Sequence, residues 1–186
     1  MVLLLALAAG LLVGLAWARW RGLPYQAPEL QYLWLVFVAF LPQLIIIYLP
    51  VTRESLPQQL VAGCLLASQI TLLGFAWLNR RVPGIPVLIC GVALNLAVMA
   101  ANSGFMPISP QTASRLVPEY RLLDIQPASR FGAKDILLRP ENTRFEWLAD
   151  RFLPPIWFPY QVAFSLGDVF IAVGVFWLLA KPRSSI

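Results

Sequence analysis

Histidine is absent from this 186-residue chain, and cysteine occurs only twice. The first absence removes the commonest general base and the commonest transition-metal ligand. Ser165 therefore has no His to activate it, and no Cys/His cluster exists to hold a metal. P-loop and dinucleotide glycine motifs are missing, as is a Gly-x-Ser-x-Gly turn, so neither a cofactor nor a metal is expected. Charge is scarce too. Charged residues make up 12% of the chain and hydrophobic ones 59%. A soluble domain carries about 25% charged residues. A chain this poor in charge cannot cover a soluble surface, so it reads as one membrane domain, residues 1–186, with the lipid bilayer as its first partner. Its net charge of +5 sits at the ends of apolar segments, not in a patch interleaved with aromatics. No nucleic-acid partner is expected.

What is there is five apolar segments, at about 1–18, 30–49, 58–78, 85–101 and 161–180. Each is near the roughly 20 residues that cross a bilayer. The first lacks a charged n-region, which argues against a cleaved signal peptide. It holds Gly10 and Gly14 as a G-x-x-x-G pair, a pattern that lets two helix backbones approach closely. Gly167 and Gly174 of the last segment are further candidates for close packing. Pro42 predicts a kink in the second segment. Cys64 and Cys90 fall toward opposite ends of consecutive segments, so they read as small core residues and not as a disulfide.

A long connection, about 103–160, differs in kind. Its seven Lys/Arg and six Asp/Glu nearly balance, which marks a solvated lobe of irregular structure. Thr143 and Glu146 form a capping-box pattern, and Phe145, Leu148 and Phe152 follow at helical spacing. A short amphipathic helix is expected at about 143–152. Trp157, Phe158 and Tyr160 would anchor the start of the last segment at the interface.

Five crossings place the termini on opposite sides. Arg19, Arg21, Arg80, Arg81, Lys181 and Arg183 then fall together on one side, against the single acid Glu29. The positive-inside rule makes that side cytoplasmic. The expected fold is thus an all-α, multi-pass bundle of five transmembrane helices in a bacterial cytoplasmic membrane. The N-terminus and the lobe lie outside and the C-terminus inside.

Asp168 is the one charged residue within these segments. An intramembrane carboxylate is costly, and so marks a candidate functional site. Counted from the segment ends, Gln43, Asn95 and Asp168 share one depth, about 10 Å below the outer edge. Ser165 and Asn102 would stand one turn above. The five residues form either an outward-facing polar site or a clamp of interhelical hydrogen bonds.

Two stretches carry a resemblance. Asn102-Ser103-Gly104-Phe105-Met106-Pro107-Ile108-Ser109 and Ser165-Leu166-Gly167-Asp168 resemble an uncharacterised bacterial multi-pass membrane family, a domain of unknown function. Its members show N-G-G-x-M-P-V-S after one helix and S-x-G-D in the last. Ser103 stands where that family has Gly, and Ile108 where it has Val. The resemblance implies the same helix count and no assigned activity. Phe164 to Gly174 is also similar to the second motif of lipoprotein signal peptidases, F-N-x-A-D-x-x-I-x-x-G, with Asp168 on the catalytic position. In their first motif, G-N-x-x-D-R, Asn95 matches but Val98 replaces the Asp. Aspartyl proteolysis needs two carboxyls that share a proton. A second would have to come from the lobe, for example Asp124, Asp135 or Asp150. The sequence favours a non-catalytic accessory or interaction subunit, with other membrane protein subunits as partners. The alternative is an intramembrane hydrolase or small-ligand binder at Asp168 and Asn95.

Overall fold

A computed structural model describes residues 2–48, 56–117, 129–132 and 134–181. The chain is mostly helical: α1 (Val2–Trp20), α2 (Trp34–Tyr48), α3 (Gln58–Leu78), α4 (Ile85–Ala101) and α5 (Leu166–Ala180). Two of these, α1 and α3, are long and apolar enough to cross a membrane; α2, α4 and α5 are shorter apolar helices. α2 starts four residues later than the apolar run that foretells it, and continues through Pro42.

The helices form a row in the order α1, α5, α4, α3, α2. Glycine sets the two closest contacts. Gly10 and Gly14 of α1 meet the α5 backbone at Phe176 and Leu179, so these two helices run parallel. α4 and α5 run antiparallel, with Gly84 against Gly174 and Gly91 against Gly167. A β-carbon on Gly91 would lie 2.6 Å from the Gly167 carbonyl oxygen and 2.7 Å from the Ile171 nitrogen. Only residues without a β-carbon let the backbones come this near. Gly84, the N-cap of α4, and Gly91 within it are an interface half that the pairwise glycine pattern in the sequence left unread.

The turns follow from single polar side chains. Asn79, buried at the end of α3, donates to the Phe75 and Gln31 carbonyls and accepts from the Gln31 N–H at 2.7 Å. One amide thereby ties the Arg80-Arg81 turn to the chain before α2. Arg19, Arg21, Arg80, Arg81 and Lys181 all fall at this end of the helices.

The opposite end carries the lobe, and here the all-α expectation is corrected. Strands β1 (Met106–Ile108), β2 (Arg130–Phe131) and β3 (Asp135–Leu137) form a small sheet in the order β1-β3-β2. β1 and β3 are parallel, and β2 and β3 antiparallel. Asp150 pairs with Ile108 on the free edge of β1. The amphipathic helix expected over 143–152 does not form. One 3-10 turn, Glu146–Leu148, stands there and another, Pro140–Asn142, just before it; Phe145 between them is left-handed with φ 56°. The Thr143 hydroxyl donates back to the Arg139 carbonyl and Glu146 pairs with Arg151 at 2.8 Å, so neither forms the capping box. Local bonding has diverted both side chains from a helix start.

The lobe is docked, not tethered. Phe105, Met106, Ile136 and Leu148 share one buried cluster with Val61, Ala62, Leu65, Val98 and Met99 of the bundle. Asn102, 5% exposed, fastens the joint. Its amide donates to the Val98 and Arg144 carbonyls and accepts from the Arg144 N–H at 3.0 Å. Cys64 and Cys90 are free thiols; Cys90 is exposed on the bundle surface and not in its core.

Candidate functional site

The last apolar run begins at 161, but α5 begins only at Leu166. Residues before it are held back as an extended pair, Phe152 with Phe164, bonded in both directions at 3.1 and 2.9 Å. Asp168 is therefore in the first turn of α5, and not deep within a helix. Ser165 is the N-cap: its hydroxyl accepts from the Asp168 N–H at 3.0 Å, and the Asp168 carboxylate accepts from the Ser165 N–H at 3.2 Å. This is a complete capping box. The Ser-x-x-Asp spacing was readable, but the apolar residues on both sides hid the helix start.

Asn95 of α4 completes a triangle. Its amide donates to Asp168 Oδ1 at 2.8 Å, and its oxygen accepts from the Ser165 hydroxyl at 2.9 Å. Three of the five residues singled out from sequence, Asn95, Ser165 and Asp168, thus meet directly. Gln43 does not join the triangle; it lines the same cavity from α2, as Gln69 does from α3. Asn102 stands apart, at the lobe joint described above. Gly167 is part of the triangle's geometry, because any β-carbon there would run into the Asn95 side chain.

That cavity has a volume of about 620 Å³, within the range of small-molecule sites, about 300–1,000 Å³. It lies between the two ends of the helix row. Val2, Leu3 and Leu7 of α1 bound one side, and Val36, Phe40 and Gln43 of α2 the other. Lengthwise it runs from Met99 to Leu88 along α4, about 16 Å at the helical rise. The far end is apolar, closed by Phe75, Leu88 and Val175. The lobe end is polar, with Asn95, Asp168 and Lys134 in its wall.

Lys134 is the group that sequence reasoning passed over. The β1 strand places it: Met106 N–H bonds to the Lys134 carbonyl on one edge, and Asp150 N–H to the Pro107 carbonyl on the other. Across β1, the Lys134 ammonium reaches Asp150 at 2.9 Å and Asp135 at 4.0 Å. Asp150 is 1% exposed, while the Lys134 side chain is 45% exposed and faces the cavity that it lines. Burial alone would lower the Lys134 pKa; the charges of Asp150, Asp135 and Asp168 outweigh it and hold the ammonium well above its usual value. Burial pushes Asp135 up to about 7, against the pull of Lys134 and with the charges of Asp150 and Asp168 adding to it. Asp150 is raised also, by burial first, with Lys134 opposing. Asp135 Oδ1 and Asp150 Oδ1 are both buried without a donor. A proton shared between the two carboxyls satisfies both atoms.

Of the lobe carboxylates named as a second acid, Asp135 and Asp150 thus lie in one charge cluster with Asp168; Asp124 lies outside the described residues. Val98, which replaces the Asp of the peptidase motif, is fully buried in the core.

Residues 28–180 match a family of unknown function, DUF5317. The chain belongs to this DUF5317 family. An uncharacterised protein of Thermotoga maritima is 31% identical to it over 115 residues, which cover 59% of this chain and 58% of that protein. The match therefore spans little more than half of that relative's length. No solved structure matches. The family carries no assigned activity, in keeping with what the N-x-G-x-M-P and S-x-G-D motifs implied.

Proposed function

We propose that this protein crosses the bacterial cytoplasmic membrane five times, with the lobe outside and the C-terminus inside, and binds an amphiphile in the cavity between α1 and α2. The carrying observation is the cavity's polarity along its length: charged and amide groups at the lobe end, hydrocarbon at the other. A run of about 16 Å with apolar walls suits an acyl or prenyl chain better than a small polar solute. The two helices bounding it on the open side end the row, so lipid has a lateral way in.

The threading supports this placement. α1 and α5 are parallel while α3, α4 and α5 alternate, as an odd number of crossings requires. The basic residues of the short connections, Arg19, Arg21, Arg80, Arg81 and Lys181, gather at the end opposite the lobe, whose own seven Lys/Arg are nearly balanced by six Asp/Glu; this agrees with the positive-inside rule, which is counted over short loops. The amphiphile's head would lie in the outer leaflet, beside Asn95 and Asp168.

Native mass spectrometry of protein drawn from its own membrane in a mild non-ionic detergent tests the reading. One amphiphile should travel with each 20.8 kDa chain. Leu72→Trp, which places an indole in the cavity wall, should release it. Chains that arrive bare, or a Leu72→Trp variant that retains the adduct, would overturn the proposal. A mass that includes other protein chains and no amphiphile would favour the accessory-subunit reading instead.

A further inference from the structure

The cavity's charge pattern names the head of its ligand. From this we infer that the amphiphile carries a protonated amine, seated on the Asp168 carboxylate. The inference rests on the amphiphile reading above.

Among the described residues, Lys134 and Asp168 are the charged groups in the cavity wall. Their surroundings differ. Lys134 is answered from behind, by Asp150 at 2.9 Å and Asp135 at 4.0 Å. Asp168 meets only neutral donors, the Asn95 amide at 2.8 Å and the Ser165 N–H at 3.2 Å. Each of its oxygens accepts one of these bonds and can accept another. The cluster holds one ammonium and three carboxyls. If Asp135 and Asp150 share a proton, the cluster as a whole still has one carboxylate more than its single ammonium answers, and of the three carboxyls Asp168 is the one in the cavity wall. The positive end of α5 stabilises that charge, as it does any capping-box carboxylate, but its partial charge does not neutralise it. An anionic head would face that surplus charge and find Lys134 already paired. An uncharged head would leave Asp168 with its two neutral donors and only the Lys134 ammonium that it shares with Asp150 and Asp135. A protonated amine supplies both the charge and the donors that the spare lone pairs lack.

The test compares three ligands with one tail: dodecylamine, dodecanol and dodecyl phosphate. Dodecylamine is protonated at pH 7, as lysine is. Each is titrated into the full-length protein in a non-ionic detergent, and one-to-one adducts are counted by native mass spectrometry. The amine should bind at about tenfold lower concentration than the alcohol, the size of one charge-assisted hydrogen bond over a neutral one. The phosphate should bind more weakly than either. Asp168→Asn should bring the amine level with the alcohol. If that variant does not fold, the wild-type ranking decides by itself. Equal binding of all three, or preference for the phosphate, overturns the amine inference and leaves the cavity reading standing. No adduct with any of the three overturns both.

Discussion

Replacing Gly91 with alanine adds one methyl group at a close backbone contact between α4 and α5. The new carbon would sit 2.6 Å from the Gly167 oxygen, 2.7 Å from the Ile171 nitrogen and 2.8 Å from the Ile171 side chain. The first two are backbone atoms and cannot rotate away. The helices must part by the better part of an ångström. Overpacking of this kind costs about 1–3 kcal/mol. Alanine's better helix propensity returns about 0.5–1 kcal/mol, so a net loss is expected. Gly74→Ala in α3 is the control. Nothing lies within 4 Å of a β-carbon there, so the propensity gain should appear alone. The assay is thermal or denaturant unfolding in one detergent, with both variants beside the wild type. Gly91→Ala should fall below the wild type and Gly74→Ala should match or exceed it. Gly167→Ala presses on the same contact, and its cost should not add to that of Gly91→Ala in the double variant. If Gly91→Ala and Gly74→Ala shift stability alike, the glycine-to-glycine contact is refuted, and the register that brings Asn95 to Asp168 goes with it.

Ser103 is exposed and left-handed, with φ 58°; Ser103→Gly should stabilise by about 1 kcal/mol, read as a higher unfolding midpoint. Ser165→Ala removes the α5 N-cap and the hydroxyl that meets Asn95; loss of a cap costs about 1 kcal/mol, and amphiphile adducts should weaken with it. Asp135 has its folded pKa raised to about 7, above the unfolded value near 4. The folded state therefore binds the extra proton between those values, so this group's contribution to stability falls as pH rises from about 4 to about 7 and is level above. Asp135→Asn should flatten that part of the stability–pH curve; an unchanged slope would contradict the assignment.

The helices were legible because their signal is long. Apolar runs at 58–78 and 85–101 are helices over those same residues, bounded by Pro57, Gly84 and Asn102. The start of α5 was not legible, because Val162, Ala163 and Phe164 are apolar for another reason: they line the cavity instead of continuing the helix. That displacement moved Asp168 from the middle of a helix to its first turn, yet its partner Asn95 could still be named from depth alone. The lobe was the least legible part. Its strands are two and three residues long, too short for alternation to show. Lys134 and Asp150 are 16 residues apart in sequence, and nothing local joins them. Their pairing follows from β1 lying between them, which is a tertiary fact.

The claim on which the rest depends is that the lobe and the Arg80-Arg81 turn lie on opposite sides of a membrane. Single cysteines at the exposed positions Ser114 and Arg81, in a chain with Cys64 and Cys90 replaced by alanine, can be probed in intact cells with a membrane-impermeant maleimide. The account predicts that Ser114→Cys is labelled from outside and Arg81→Cys only after the cells are opened. Labelling of both from outside, or of Arg81→Cys alone, would contradict it.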